Sequence, residues 1–263
     1  MEKIGVVTVL FNSANVIKPF LECVISQQHT KFNLYIIDNN SQDNSLEILS
    51  NFSDPRIKLI RNNSNIGVAA ANNIGIKNAL KDNCSKVLLL NNDVEFLPNL
   101  FFDLIQSIEL YNCSLVVPKI MFHPNKDIIW YAGGWFKKKN GFLPFHQGVN
   151  QKDIGQFNIA GAVDYAPTCC LLINKEVFED VGYMDEKYFV YFDDTDFLFR
   201  VFQNISYKVW FCPQVVLYHK VGSLSKSFVT DKKNQVSKVR VTFPDVMGKD
   251  YCGRQRFEYS LDL

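Results

Sequence analysis

The sequence predicts an α/β fold with a mostly parallel central sheet flanked by helices. Three observations carry that expectation. Short, nearly continuous apolar runs alternate with helical patterns some four times over roughly the first 115 residues, the spacing of βαβ crossovers. Those runs are rich in Val and Ile, as strands buried on both faces are. The 263 residues are 47% hydrophobic and 14% aromatic, with 22 Phe, which excludes disorder as the dominant state. A globular chain of this length buries roughly 75% of the surface its unfolded form exposes, so no metal or disulfide staple is needed.

Ile4 to Leu10 is the first predicted strand. Ile17, Phe20, Leu21, Val24 and Ile25 then fall at helical spacing and form one apolar stripe. Leu34 to Ile37 is the second strand, followed by a short helix from Ser45 to Leu49 with Asp43 or Asn44 as its cap. Arg56 to Ile60 is the third strand, Val68 to Leu80 an Ala-rich helix, and Lys86 to Leu90 the fourth strand. Pro98 opens a helix through Leu100, Phe101, Leu104, Ile105 and Ile108. Leu115 to Val117 is the fifth strand. Residues 122–165 mix Gly, Pro, Trp and basic residues and read as irregular. Regular pattern returns with a strand at Thr168 to Ile173 and helices at Lys175 to Val181 and Asp194 to Gln203. Strands follow on both sides of Pro213 within Lys208 to Tyr218.

Lys and Arg total 28 against 27 Asp and Glu, a formal charge of +1, so the basic excess of a nucleic-acid protein is missing. No run of about 18 apolar residues offers a spanning helix. The opening residues lack a signal-peptide pattern, and the seven Cys contain no Cys-x-x-Cys pair. A reducing, cytoplasmic setting is therefore expected. No Gly-x-Gly-x-x-Gly follows the first strand, which weighs against a dinucleotide oxidoreductase, and neither a Walker-type loop nor a Gly-x-Ser-x-Gly elbow is present.

Right-handed crossovers put the C-terminal ends of parallel strands on one edge, where ligands of such folds bind. Asn12, Asp38 and Asp93 follow the first, second and fourth strands and so share that edge. Taken singly, each also fits a strand-end or helix-start role, since these side chains accept backbone N–H bonds. A carboxylate at Asp38 can accept the imide N–H of uracil or thymine. Between Asn65 and Asn73, Gly67 and the Ala run allow close backbone approach, and the helix N-terminus favours a ribose or phosphate. Packing of the helix on the sheet explains the small residues equally well. Asp93 is a hard oxygen ligand suited to Mg²⁺ or Mn²⁺, and His219, ending the last strand, is a fitting further ligand. Asp193, Asp194 and Asp196 crowd three carboxylates together, which raises the pKa of one of them and suits a general base. A capped, solvated helix start is the competing explanation. Trp130, Tyr131 and Trp135 can stack on a sugar ring or pack in the core.

Taken in order, these segments resemble the family 2 inverting glycosyltransferases with the GT-A fold, in particular the rhamnosyltransferase-like branch. The matching blocks are Val6 to Asn12, Ile36 to Asp43, Asn65-Ile66-Gly67 with Asn72-Asn73, Leu88 to Asp93, Val181 to Glu186, Phe192 to Asp196 and Tyr218-His219-Lys220. The resemblance implies a Rossmann-like nucleotide-binding half over 1–121 and a smaller, mixed acceptor and catalytic half over 122–225. It implies a nucleotide-sugar donor near Thr8, Asn12, Asp38, Asn40, Asn65, Gly67, Asn72 and Asn92. Asp93, as the last residue of the family's Asp-x-Asp motif, and His219 would hold Mn²⁺ or Mg²⁺. Asp194 matches the catalytic base of the family's Glu-Asp-x-Asp motif, supported by Asp193 and Asp196. Asn91 stands where the metal motif has its first Asp, and Asp193 where the base motif has Glu.

The expected activity is transfer of a sugar from a UDP- or dTDP-linked donor to a hydroxyl of a glycan or lipid-linked acceptor, in bacterial surface polysaccharide synthesis. The rival from another class is a nucleotide-sugar or glycan-binding relative without turnover. A sugar-phosphate nucleotidyltransferase would need a Gly-rich, Arg-containing loop after the first strand, which is absent. The segment 226–263 reads as an atypical tail. Its Lys232, Lys233, Lys238 and Arg240 suit either peripheral contact with the inner membrane face or simple solvation.

Overall fold

A computed structural model describes residues 2–221, so the tail and its basic residues lie outside the described residues. The first half follows the predicted alternation. Strand β1 (Ile4–Leu10) leads to α1 (Ile17–Ile25), β2 (Phe32–Asp38), α2 (Ser45–Ser50), β3 (Ile57–Arg61), α3 (Val68–Lys81) and β4 (Lys86–Leu90). Next come β5 (Val94–Phe96), α4 (Leu100–Tyr111) and β6 (Leu115–Phe122). The region read as irregular holds β7 (Ile129–Tyr131), β8 (Gly134–Lys137), β9 (Leu143–His146) and β10 (Gly161–Val163). The chain continues through β11 (Cys170–Asn174), α5 (Lys175–Val181), α6 (Asp193–Gln203) and β12 (Val209–His219). Strands of three or four residues are too short to show a periodicity, so β5 and β7 to β10 left no readable pattern.

The main sheet has the order β10-β12-β6-β11-β4-β1-β2-β3. β1 pairs in parallel with β2 and β4, and β2 in parallel with β3. β11 is antiparallel to both β4 and β6, and β6 is parallel to β12. Hence β3, β2, β1, β4, β6 and β12 all run one way, and β11 alone among the central strands runs the other. β5 adds to β12 and β7 to β6, while β8 and β9 form a separate two-stranded ribbon. The expected pair of strands around Pro213 is one strand with a register shift between Cys212 and Val216. A bulge accommodates a proline that a regular ladder would not.

The apolar patterns become the core. The α1 stripe buries Ile17, Phe20, Leu21 and Val24, and β2 and β4 are buried along their whole length. The small residues of α3 serve packing. A Cβ on Gly75 would stand 2.3 Å from Val7 of β1, and one on Gly5 would stand 2.3 Å from Ala79. α3 therefore lies closer to the sheet than a bulkier helix could. No described helix is long and apolar enough to cross a membrane.

Candidate active site

The strand register gathers the predicted polar residues at one edge of the sheet. Leu10, the end of β1, pairs with Asp38, the end of β2. The Asn92 amide donates to the Val9 carbonyl (2.8 Å), which pins the segment after β4 over the end of β1. β12 reaches the same edge at His219, which pairs with Val94 of β5. Asp93 and His219 thereby become neighbours although 126 positions separate them in sequence.

On the β1–β2 side, Asp38 is completely buried. Its Oδ1 accepts from the Ser41 N–H (3.1 Å), while its Oδ2 has no hydrogen-bond partner. The nearest cation is Arg61, 3.8 Å away on a side chain that is 62% exposed. The Thr8 hydroxyl and the Asn92 Oδ1 are likewise buried without a partner. A buried polar atom left unpaired costs about 1–3 kcal/mol, so such atoms at one edge fit a ligand-binding surface. Asn12 and Asn40 both take the left-handed conformation (φ 48° and 65°), and the Asn12 Oδ1 accepts from the Gln42 N–H (2.8 Å). The Asn65 Oδ1 accepts from the Gly67 N–H (3.0 Å) and the Asn39 amide (3.2 Å). Asn12 and Asn65 therefore shape the loops of this edge. Asn72 is buried in α3.

On the β4–β12 side, the His219 Nε2 lies 3.2 Å from the Asp93 Oδ1, with both residues buried. The Trp130 ring packs edge-on to His219 with centroids 4.9 Å apart. Among the described residues no group of three or more His, Cys, Asp or Glu side chains is arranged to hold a metal ion. A carboxylate and an imidazole side by side nevertheless fit Mn²⁺ or Mg²⁺, because such ions take few protein ligands and complete their shell with water and phosphate oxygens. The buried His219 Nδ1 has no hydrogen-bond partner, so the Asp93 carboxylate at Nε2 is the polar group that orients the ring.

The acidic cluster is not a simple helix cap. α6 starts at Asp193, its N-cap is Phe192 in the left-handed conformation (φ 65°), and no side chain caps it. Asp193 and Asp196 are buried and Asp194 is half-buried. The Asp196 carboxylate accepts from the Arg200 Nε (2.9 Å), and Arg200 donates onward to the carbonyls of Val181 (2.8 Å) and Tyr183 (2.7 Å). Asp196 thus secures the turn after α5. Burial, and then the charge of Asp194, pushes the Asp193 carboxyl well up, and burial pushes Asp194 up as well. The Tyr165 hydroxyl donates to the Asp194 Oδ2 (2.7 Å), and the Thr195 N–H donates to Oδ1 (2.6 Å). The Tyr165 ring stacks on His146 (5.7 Å), which meets Trp130 edge-on (4.7 Å), the ring that packs on His219. A chain of ring contacts thus links Asp194 to the Asp93 and His219 pair.

Trp130 joins this neighbourhood through His219, but Trp135 does not. Phe136 packs on Tyr165 with centroids 5.7 Å apart, and Trp135, next to it on β8, points to the opposite face against Phe145. Three contributors escaped sequence reasoning. Tyr165 sits in a stretch without periodicity. Asn73, whose side chain bonds the Met184 backbone (2.9 and 3.0 Å), stood in a matching block but carried no assigned role. The asparagine Asn39, linking Asn62, Asn65 and the Gly67 carbonyl, was legible only as the neighbour of Asp38.

The mostly parallel sheet with its flanking helices is a fold of the GT-A type. Residues 5–182 match the profile described as glycosyl transferase family 2. The chain belongs to that family. It is 30% identical over 169 residues to the low-salt glycan biosynthesis hexosyltransferase Agl10 of Haloferax volcanii, covering 63% of this chain and 52% of the relative. It is 25% identical over 190 residues to the dTDP-rhamnosyl transferase RfbF of Shigella flexneri, covering 72% and 60%. The chain thus spans just over half of these two relatives' lengths. Among solved structures, GalNAc-T7 with UDP, GalNAc and Mn²⁺ superposes with a TM-score of 0.66 at 17% identity, covering 84% of this chain and 44% of that one. The mannosyltransferase PcManGT from Pyrobaculum calidifontis, with GDP-Man and Mn²⁺, gives a TM-score of 0.61 at 14% identity, covering 84% and 57%.

Proposed function

We propose that the protein transfers a sugar from a UDP- or dTDP-linked donor to a hydroxyl of a glycan or lipid-linked acceptor, with inversion, in bacterial surface polysaccharide synthesis. The observation that carries this reading is the linkage of three features through the strand register and the ring contacts. These are a buried carboxylate with an unpartnered oxygen (Asp38), an Asp–His pair (Asp93 and His219) and a half-buried carboxylate at the start of a helix (Asp194).

Asp38 Oδ2 accepts the imide N–H of the base, a proton that uracil and thymine carry and cytosine lacks. The N-terminal end of α3 favours the donor's ribose or phosphate nearby. Asp93 and His219 would hold a divalent cation, Mn²⁺ or Mg²⁺, which when bound neutralises charge on a diphosphate leaving group. Asp194 removes the proton from the acceptor hydroxyl. The acceptor oxygen forms its bond to the anomeric carbon from the face opposite the leaving group. The bond to the diphosphate oxygen breaks with its electron pair on the diphosphate, and one such displacement inverts the configuration. An elevated pKa suits this base, because a proton acceptor works best when its pKa lies near the working pH.

A calorimetric panel of UDP-, dTDP- and GDP-sugars with and without Mn²⁺, followed by a transfer assay with the donor that binds, tests the proposal. Tighter binding of a UDP- or dTDP-sugar with Mn²⁺, and turnover with an acceptor, is the expected result. Binding without turnover would leave a nucleotide-sugar-binding relative, a reading that Asn91 at the first position of the metal motif favours.

A further inference from the structure

Asp194 is the only carboxylate of the acidic cluster that receives a side-chain hydroxyl from outside α6 among the described hydrogen bonds, and the donor is Tyr165. Tyr165 is 4% exposed and held on every side. Its carbonyl accepts from the Tyr131 hydroxyl (2.7 Å) and its N–H donates to the Gly134 carbonyl (3.1 Å). His146 stacks on its ring at 5.7 Å, and Phe136 meets it edge-on. Even Gly134 serves this fit, since a Cβ there would stand 2.8 Å from the Tyr165 carbonyl oxygen. Such a side chain has one orientation, and its hydroxyl one target.

We propose, resting on the glycosyltransferase reading above, that Tyr165 is a positioning residue for the reaction: its hydroxyl orients the Asp194 carboxylate and, by donating to it, keeps it a base. Thr195 holds Oδ1 through its N–H (2.6 Å) and its hydroxyl (3.2 Å), and Tyr165 holds Oδ2. Each oxygen accepts more than one bond, so the half-buried carboxylate keeps capacity for an acceptor hydroxyl. The other titratable groups around the pair are Asp193 and Asp196 on α6, Cys169 before β11, Tyr131 on β7 and His146 on β9. Burial keeps the Cys169 thiol and both tyrosine hydroxyls protonated and pushes His146 down to about 4, so these four are uncharged near neutral pH. Among the neighbours outside α6, Tyr165 alone donates to the Asp194 carboxylate in the described hydrogen bonds, and that bond opposes the effect of burial.

The test is a pH titration of the full chain labelled with ¹³C at aspartate Cγ, the Asp194 resonance being assigned by its loss in Asp194→Asn. Tyr165→Phe should move its midpoint up by about one pH unit, the scale of a hydrogen bond to a charged group. Replacement of Tyr165 by 3-fluorotyrosine, a stronger donor of nearly the same shape, should move it down, and it decides the matter if the phenylalanine variant does not fold. The acid limb of kcat/KM should follow each shift, with nucleotide affinity unchanged within about twofold. A midpoint that stays put in the folded variants overturns the proposal. Failure of the base assignment itself would be seen separately, as full transfer by Asp194→Asn.

Discussion

Gly67 and Phe189 touch so closely that a Cβ on Gly67 would stand 2.6 Å from the Phe189 carbonyl oxygen. The same carbonyl accepts from the Val68 N–H (2.7 Å), the first residue of α3. The loop that receives the donor in our reading is therefore bonded to the segment that runs into α6. Gly67 also takes φ +89°, which side-chain-bearing residues rarely adopt. Gly67→Ala should cost about 1–3 kcal/mol of stability, from strain and displacement of Phe189. A lowered urea midpoint at unchanged m-value is the expected result.

Removing the base separates binding from chemistry. Asp194→Asn should lower kcat by about 10²–10⁴, roughly 3–5 kcal/mol, while nucleotide affinity stays within about twofold. Steady-state transfer alongside calorimetry checks this, and an unimpaired kcat would take Asp194 out of its role.

The buried acids give stability a definite pH dependence. Burial raises Asp193 and Asp194 in the folded protein, so the folded state retains protons that the unfolded chain has already released. Their contribution is most favourable below the ordinary carboxylate range. It is lost as pH rises from there through the raised folded values. Asp193→Asn removes one ionisation and should stabilise the protein by about 1–3 kcal/mol at about pH 8, with the gain shrinking at about pH 4. Chemical unfolding at the two pH values measures it, and an equal gain at both would contradict the account.

The Asp93 and His219 pair should govern the response to metal. Wild-type protein is expected to bind its nucleotide more tightly with Mn²⁺, and a chelator should reverse this. Asp93→Asn and His219→Ala should each remove most of that enhancement and leave metal-free nucleotide binding within about threefold. Calorimetry with and without Mn²⁺ is the measurement. An undiminished metal effect in both variants would place the ion elsewhere.

Local chemistry made the sheet edge legible. Runs such as Leu88-Leu89-Leu90 before Asn91-Asn92-Asp93 announce a strand and what it carries at its end, because strand burial and strand ends have opposite compositions. The apolar spacing of α1 and α4 was equally direct. Tyr165 and Arg200 were not legible as parts of the site, since their roles depend on contacts 29 residues away for Tyr165 and 17 and 19 away for Arg200. The two readings of Trp135, stacking and packing, could not be separated, because its neighbours in sequence say nothing about which face of a three- or four-residue strand it occupies. The short strands of the 122–165 region remained hidden for the same reason.

The reversed direction of β11 has an architectural consequence. Running against β4 and β6, this strand begins at the edge where they end. The excursion from Phe122 to Cys169 therefore leaves and re-enters the sheet on the same side. Had β11 run with its neighbours, its start would lie roughly 15 Å away at the far rim. The whole stretch is in effect a cassette plugged into two adjacent sockets. Its two ends are fixed by neighbouring strands, so a change of length between them need not rethread the sheet.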